Sequence, residues 1–202
     1  MNDTLTLADV TRDPSLLTAA LHTGDGTPFT GRALLADDAP ALGRYFDGLS
    51  QAVRDMYAPH PLNAEHASQM CGELNYENLL PFLALIDAPL PQDVAAYFLL
   101  HIGLHDGDRR RYIDHGHPLI DEQCCTLAPC VADAWLSRGL GSGLFPHVAA
   151  SVRRLGHKRI VLWGGVREDN PRAQHFYRKF GFRHVGGFAA GGVSNLDMVL
   201  DL

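Results

Sequence analysis

The sequence predicts an α/β (α+β) domain built on a mixed, mostly antiparallel sheet, with elements in the order β-αα-βββ-α-β-α-ββ. Three observations carry that expectation. Residues 79–86 and 94–104 are dense in apolar and aromatic side chains and read as an antiparallel hairpin of buried strands. A strand over 123–131 runs through a glycine-rich turn into an amphipathic helix, and Arg159-Ile160-Val161-Leu162-Trp163 follows as another buried strand. That strand–helix–strand passage makes one parallel crossover. Asn170-Pro171 then opens a last helix, and 182–188 with 193–200 close the chain as a hairpin.

In order along the chain, residues 1–28 form an N-terminal extension, peripheral in character. Within it, 14–21 reads as a short helix stopped near Gly24-Asp25-Gly26. Residues 29–202 form a single domain, which the length supports without a second one. Its first strand is 31–35. Asp37-Asp38 caps a helix from about Pro40 that sets Leu42, Tyr45, Phe46 and Leu49 on one face. A further helical piece over 50–56 is broken by Pro59-His60-Pro61, and Asn63 caps another through Cys71. The loop Asp87-Ala88-Pro89-Leu90-Pro91 joins the two buried strands. Residues 105–119, with Arg109-Arg110-Arg111 and His115-Gly116-His117, read as a long polar loop, either at a site edge or merely solvated. After the glycine turn, Leu140, Leu144, Val148, Val152 and Leu155 recur at helical spacing, and Gly156 ends that helix.

The totals exclude several classes. The chain is 46% hydrophobic and 20% charged, an ordinary globular balance. A formal net charge of −6 speaks against nonspecific nucleic-acid binding, which needs a basic face. No apolar run reaches the ~20 residues of a membrane span. Met1-Asn2-Asp3 is not the basic start of a signal peptide. Cys124-Cys125 are adjacent while Cys71 and Cys130 stand alone, a pattern that suits neither zinc nor a redox Cys-x-x-Cys. Reduced, buried thiols in a cytoplasmic protein without a metal are the expectation.

The stretch Ser137-Arg138-Gly139-Leu140-Gly141-Ser142-Gly143-Leu144 carries the chemistry. Glycines let a ligand approach the backbone, and a helix start has unpaired N–H groups and the positive end of the dipole. Together they make an anion site, most naturally for a pyrophosphate, with Arg138 as an added charge. No ribose-binding acid about 20 residues on marks a dinucleotide fingerprint, and no Gly-Lys-Ser/Thr marks a P-loop.

The chain resembles the GNAT (Gcn5-related N-acetyltransferase) family. Three pieces carry the resemblance: Val131-Ala132-Asp133 leading into the glycine stretch, the passage 155–163, and Asn170-Pro171-Arg172-Ala173-Gln174-His175-Phe176-Tyr177-Arg178-Lys179-Phe180-Gly181-Phe182. The last matches the family pattern Asn-x-x-Ala-x-x-Phe-Tyr-x-Lys-x-Gly-Phe closely. One departure is that the first position of the family's Gln/Arg-x-x-Gly-x-Gly/Ala loop falls on Leu136; a shifted register would begin it at Arg138.

The resemblance implies an acetyl-CoA-dependent N-acetyltransferase that moves the acetyl group to a primary amine by direct attack in a ternary complex. It implies that 129–132 splay from the neighbouring strand and pair with the pantetheine arm of the cofactor like an added strand. Val131 or Cys130 would then offer the N–H that polarises the thioester carbonyl. The cofactor-binding set implied is Cys130, Val131, Ala132, Arg138, Gly139, Leu140, Gly141, Ser142, Gly143, Asn170 and Tyr177, with Tyr177 also the general acid. The general base stays open. Cys125 stands where the family often has a carboxylate, so Glu122 and Asp121 are the nearest candidates, with His101, His105, His115 and His117 as alternatives. Tyr57, His60 and Tyr76 are expected on the acceptor side. The acceptor is a small-molecule or peptide amine, not further specified, and a homodimer through the last hairpin is possible. The competing reading is a catalytically inactive acyl-CoA-binding sensor or regulatory module of the same fold.

Overall fold

A computed structural model describes residues 4–87 and 93–202. A nine-stranded sheet organises them, in the order β1-β2-β3-β4-β5-β6-β9-β7 with β8 on the free side of β9. The strands are β1 (Ala19–His22), β2 (Pro28–Ala33), β3 (Phe82–Ile86), β4 (Asp93–Ile102), β5 (Cys124–Val131), β6 (Arg159–Leu162), β7 (Val166–Arg167), β8 (Arg183–Ala190) and β9 (Val193–Asp201). All described pairings are antiparallel except β5 with β6. Among the described residues the seven α-helices are α1 (Leu7–Arg12), α2 (Ala39–Gly48), α3 (Gln51–Arg54), α4 (Ala64–Gly72), α5 (Asp106–Asp114), α6 (Leu140–Arg154) and α7 (Pro171–Lys179).

The sheet is buried on both faces, which is why β3 and the middle of β4 read as continuous apolar runs rather than alternations. One face packs α6 and the N-terminal segment, with Leu140, Leu144, Val148 and Val152 fully buried. Each such side chain contributes about 1.5–3 kcal/mol by leaving water. The other face packs α2 and α4 through Leu42, Phe46, Ala67 and Met70.

Local signals set the helix ends. Asn63 accepts from His66 N at 2.8 Å, and Asn170 accepts from Ala173 N at 3.1 Å with Pro171 behind it. Gly156 has φ +87°, as expected after the C-terminus of α6.

Three sequence expectations need correction. Residues 14–21 are not one helix: a 3₁₀ turn covers Pro14–Leu17, and the chain then extends into β1. Residues 105–119 are not simply a loop, because α5 occupies Asp106–Asp114. That helix has almost no apolar stripe. It is held instead by Tyr112, whose hydroxyl donates to Met198 O at 2.6 Å, and by Arg111 between the buried Asp108 and Asp197. The strand β7, only two residues long, shows no strand pattern in the sequence. The N-terminal segment is integral to the packing, since Val10 and Leu17 are fully buried and β1 pairs with β2. The expected loop 87–91, apart from Asp87, and residues 1–3 lie outside the described residues.

Candidate active site

The parallel ladder between β5 and β6 is short. It pairs Cys124–Leu127 with Arg159–Leu162, and its last bond runs from Trp163 N to Leu127 O at 2.9 Å. Beyond Leu127 the two strands part, while β5 stays paired to β4 as far as Val131. Strand parity then decides which groups face the gap. Leu127 O points to β6 and Ala132 N points to β4, donating to Ala95 O at 3.0 Å. Backbone groups of alternate residues point the same way, so Val131 N–H and the carbonyls of Pro129 and Val131 face the gap. Cys130 and Ala132 turn their amides to β4, and Cys130 O also accepts the Tyr45 hydroxyl at 2.9 Å.

A cavity of about 870 Å³ opens along this gap. One end is the N-terminus of α6. Gly139 is its N-cap in a left-handed conformation, φ +83°, and no side chain caps the first amides. Gly143 N already donates to Gly139 O at 2.8 Å, so the unsatisfied amides are those just before it. Ser137, Gly139, Leu140, Gly141 and Ser142 line the cavity there, and no acidic residue stands in the first turn. Ser137 takes φ +60°, a conformation that costs a residue with a Cβ roughly 1–2 kcal/mol. From α7, Arg172, His175 and Lys179 face the same space at helical spacing, and Lys179 Nζ donates to Ser142 Oγ at 3.1 Å. The arrangement concentrates positive potential and free N–H groups at one end.

Midway along the cavity stands Tyr177. It is 6% exposed and packed among Phe176 and Phe182. Burial pushes its phenol well above the ordinary value, so it is held protonated. Among the described residues its hydroxyl makes no hydrogen bond, which leaves the proton free for a ligand. Tyr57, Met56, Trp163 and Phe188 also line the cavity and form an aromatic, largely uncharged part of its wall. Asp133 braces the rim: its carboxylate accepts from Ser50 N at 2.9 Å and Ser50 Oγ at 2.5 Å, and these bonds hold its pKa below the usual carboxylate range.

Of the residues singled out in the sequence, Val131, Gly139, Leu140, Gly141, Ser142, Asn170, Cys130 and Tyr177 meet at this cavity. Arg138 and Gly143 point elsewhere. The Arg138 guanidinium lies 4.1 Å over the Trp135 ring and 3.4 Å from Asp25. A Cβ on Gly143 would meet His22 O at 2.5 Å. Asp121 and Glu122 precede β5 at its opposite end. At about 3.3 Å per residue they stand more than 20 Å from Val131, and neither lines the cavity. Asp121 is engaged by Arg109 at 2.8 Å and Leu104 N at 2.8 Å. The His101 and His105 rings pack on Trp163, and His115 lies 3.4 Å from the buried Asp197. Tyr76 is committed to Leu34 O and does not line the cavity. Burial pushes the Cys124, Cys125 and Cys130 thiols up to about 11 to 12, so none is a ready nucleophile. Lys179, Arg172 and Trp163 belong to the sequence pieces that carry the family resemblance, but the sequence alone assigns them no site role. The fixed spacing of Lys179 from Tyr177 was the signal available for it.

Among the described residues no group of three or more His, Cys, Asp or Glu is arranged to hold a metal ion, and no helix is long and apolar enough to cross a membrane. An uncapped helix start joined to an unpaired strand edge defines a cleft for a ligand that is phosphorylated at one end and amide-bearing along its length. The chain belongs to the acetyltransferase (GNAT) family, whose model matches residues 50–182. Comparison with curated protein sequences gives no match. Solved structures resemble it in fold. The GNAT domain of S. lividans PAT aligns with a TM-score of 0.72 at 23% identity, over 94% of this chain and 99% of that one. Mycobacterium smegmatis RimJ in complex with CoA-disulfide gives 0.68 at 15% identity, over 91% and 86%. AAC(6')-Ib in complex with paromomycin and acetyl-CoA gives 0.65 at 16% identity, over 85% and 92%.

Proposed function

We propose that this protein is an acetyl-CoA-dependent N-acetyltransferase acting on a primary amine by direct attack within a ternary complex. The observation that carries the reading is the single cavity that joins the uncapped α6 N-terminus, the unpaired edge of β5 and the Tyr177 hydroxyl. Family membership and the ligands of two fold neighbours, CoA-disulfide and acetyl-CoA, support it. The residues present fit the cofactor: free amides of Gly139–Ser142 with Lys179 suit a pyrophosphate, and the outward groups of Pro129 and Val131 suit an amide-bearing arm. Once bound, the thioester provides the acetyl group.

The chain's own part follows from what each group can donate or accept. Val131 N–H donates to a carbonyl oxygen set against β5 and stabilises charge that develops on it. Tyr177, held protonated by burial, gives its proton to the departing sulfur. Asn170 Oδ1 already accepts from Ala173 N in the cap of α7, while its side-chain N–H₂ is wholly free to serve a ligand. The aromatic part of the wall receives the amine.

The test is thiol release from acetyl-CoA with a panel of primary amines, run beside calorimetric binding. Tyr177→Phe is expected to lower kcat by about 10²-fold or more while acetyl-CoA affinity stays unchanged. An unchanged kcat removes Tyr177 from its role. Tight acetyl-CoA binding with no turnover on any amine would favour the sensor reading instead.

A further inference from the structure

The acceptor nitrogen must lose a proton as it attacks, and the carboxylates expected for that task lie at the wrong end of β5. Beneath the aromatic part of the cavity wall runs a chain of polar groups that nothing above has used. Tyr57 lines the cavity just after α3, and its Oη is 3.1 Å from His60 Nε2. The same Nε2 is 3.1 Å from Tyr97 Oη on β4. His60 Nδ1 is 2.8 Å from Pro61 O.

These contacts fix the protons. A carbonyl oxygen only accepts, so His60 Nδ1 carries a hydrogen, and in the neutral ring Nε2 is a bare lone pair. Two hydroxyls stand around that lone pair. Tyr97 has a second acceptor in Met70 Sδ at 3.3 Å, and the Tyr57 hydroxyl interacts with the Tyr97 hydroxyl as well as with Nε2. Both partners of the Tyr57 hydroxyl lie on its inner side, so its proton points inward, to His60 or to Tyr97, and its oxygen lone pairs are left for the cavity. We propose that Tyr57 and His60 form the proton relay for the acceptor amine, Tyr57 touching the nitrogen and His60 taking the proton through it. The inference rests on the transferase reading above.

The step balances without any redox partner. As the nitrogen lone pair forms the new N–C bond, one N–H bond breaks and its proton bonds to Tyr57 Oη. The Tyr57 proton passes to His60 Nε2. The C–S bond breaks with its electron pair on sulfur, which takes the Tyr177 proton. Afterwards the imidazolium yields a proton to water and the Tyr177 oxygen regains one from water.

The surroundings of His60 keep the ring neutral, with Nε2 unprotonated. Its ring is stacked on His66 at 4.3 Å and meets Phe46, Tyr57 and Tyr97 edge-on or tilted. The titratable and charged groups nearest it on the elements packed around it are His66 and Cys71 from α4, Glu73 just after that helix, Tyr97 from β4, Tyr45 from α2, Arg54 from α3 and Cys130 from β5. Among the described residues no carboxylate pairs with the ring. Burial and neighbouring His66 push its pKa down to about 4, against the Pro61 contact, so the ring is neutral at pH 7.

The experiment measures acetyl transfer by wild type, Tyr57→Phe, His60→Gln and the double variant. The acceptors are 2-phenylethylamine, kanamycin and an alanyl-terminated peptide. Each single variant is expected to lose about 10²-fold in kcat/KM for the amine, the double no more than the worse single, with acetyl-CoA affinity unchanged. Wild type and variants both need the neutral amine and share its slope, about tenfold per pH unit up to the amine's pKa. In wild type alone kcat/KM should steepen by a further tenfold per pH unit below the His60 pKa of about 4, and a merely structural role would not produce that second slope. Imidazole ¹⁵N spectra of wild type should show His60 as the Nδ1–H tautomer, with the Nε2 signal moved by Tyr57→Phe. An Nε2–H tautomer, additive losses, or unchanged rates in both singles overturn the relay alone. Absence of turnover by wild type on every amine overturns the transferase reading, and the relay with it.

Discussion

Replacing Gly139 by alanine isolates the demand that the N-terminal segment places on the glycine loop. Gly139 sits at φ +83°, and a Cβ there would lie 2.6 Å from Gly24 N and 2.9 Å from Gly24 Cα. The left-handed backbone costs alanine about 1–2 kcal/mol. The clash is with backbone of the β1–β2 turn, not with a side chain that can swing aside, and overpacking of this kind costs about 1–3 kcal/mol. Together they predict a loss of about 2–5 kcal/mol. With a urea m-value of about 2 kcal/mol/M, the unfolding midpoint should fall by about 1–2.5 M. Gly141→Ala is the control. Its Cβ would meet only the Val131, Phe176 and Phe98 side chains at 3.5–3.6 Å, ordinary contact, inside a helix that prefers alanine by up to about 1 kcal/mol. It should unfold at or above the wild-type midpoint. A Gly139→Ala variant within about 0.5 kcal/mol of wild type, or a Gly141→Ala variant that is the more damaged, would refute the reasoning.

Two further outcomes can be measured directly. Lys179→Ala removes the cation bonded to Ser142 Oγ at the start of α6, so calorimetry should find acetyl-CoA binding weaker by about 1–2 kcal/mol and less salt-dependent than in wild type. His60 gives a pH dependence of stability. Its folded pKa of about 4 lies below the unfolded 6.5, so on acidification the unfolded chain takes up the proton first, and stability falls between about pH 6.5 and pH 4. Discounted for partial exposure, the loss is about 1–3 kcal/mol. Urea unfolding at pH 7, 5.5 and 4.5 should show wild type declining more steeply than His60→Gln. A difference independent of pH would contradict the assignment.

Most of the fold was legible because it is written in apolar periodicity and in caps. Leu140 to Leu155 marked α6, Asn63 and Asn170-Pro171 marked two helix starts, and the unbroken apolar runs marked β3 and β4. What escaped notice depends on partners distant in the chain. α5 has the composition of a loop, and only Asp197 and Met198, more than 80 residues on, make it a helix. The turn before β2 looked peripheral because nothing local tells that Gly24 lies against Gly139. The candidate site divides in the same way. The glycine loop and Tyr177 belong to contiguous motifs, so they were visible. Asp121 and Glu122 were near in sequence to the central strand but at its wrong end, since an extended strand carries neighbours in sequence far apart in space. The charge of Arg138 marks it as a phosphate ligand, yet Asp25, more than 100 residues away in the chain, and the nearby Trp135 ring claim that charge.

Pro129 has a bearing on solubility. A strand that loses its neighbour partway leaves a row of unpaired backbone groups, and such rows invite strands from other molecules. Past Leu127 the outward-facing residues of β5 are 129 and 131. Proline at the first of them removes one donor, so a foreign strand could form only an interrupted ladder there. A ligand that needs one amide and a carbonyl loses nothing by the substitution. The residue that weakens β5 as a template for another chain thus leaves it fit to receive a small molecule, and the ligand-free protein can hold its sheet open without becoming adhesive.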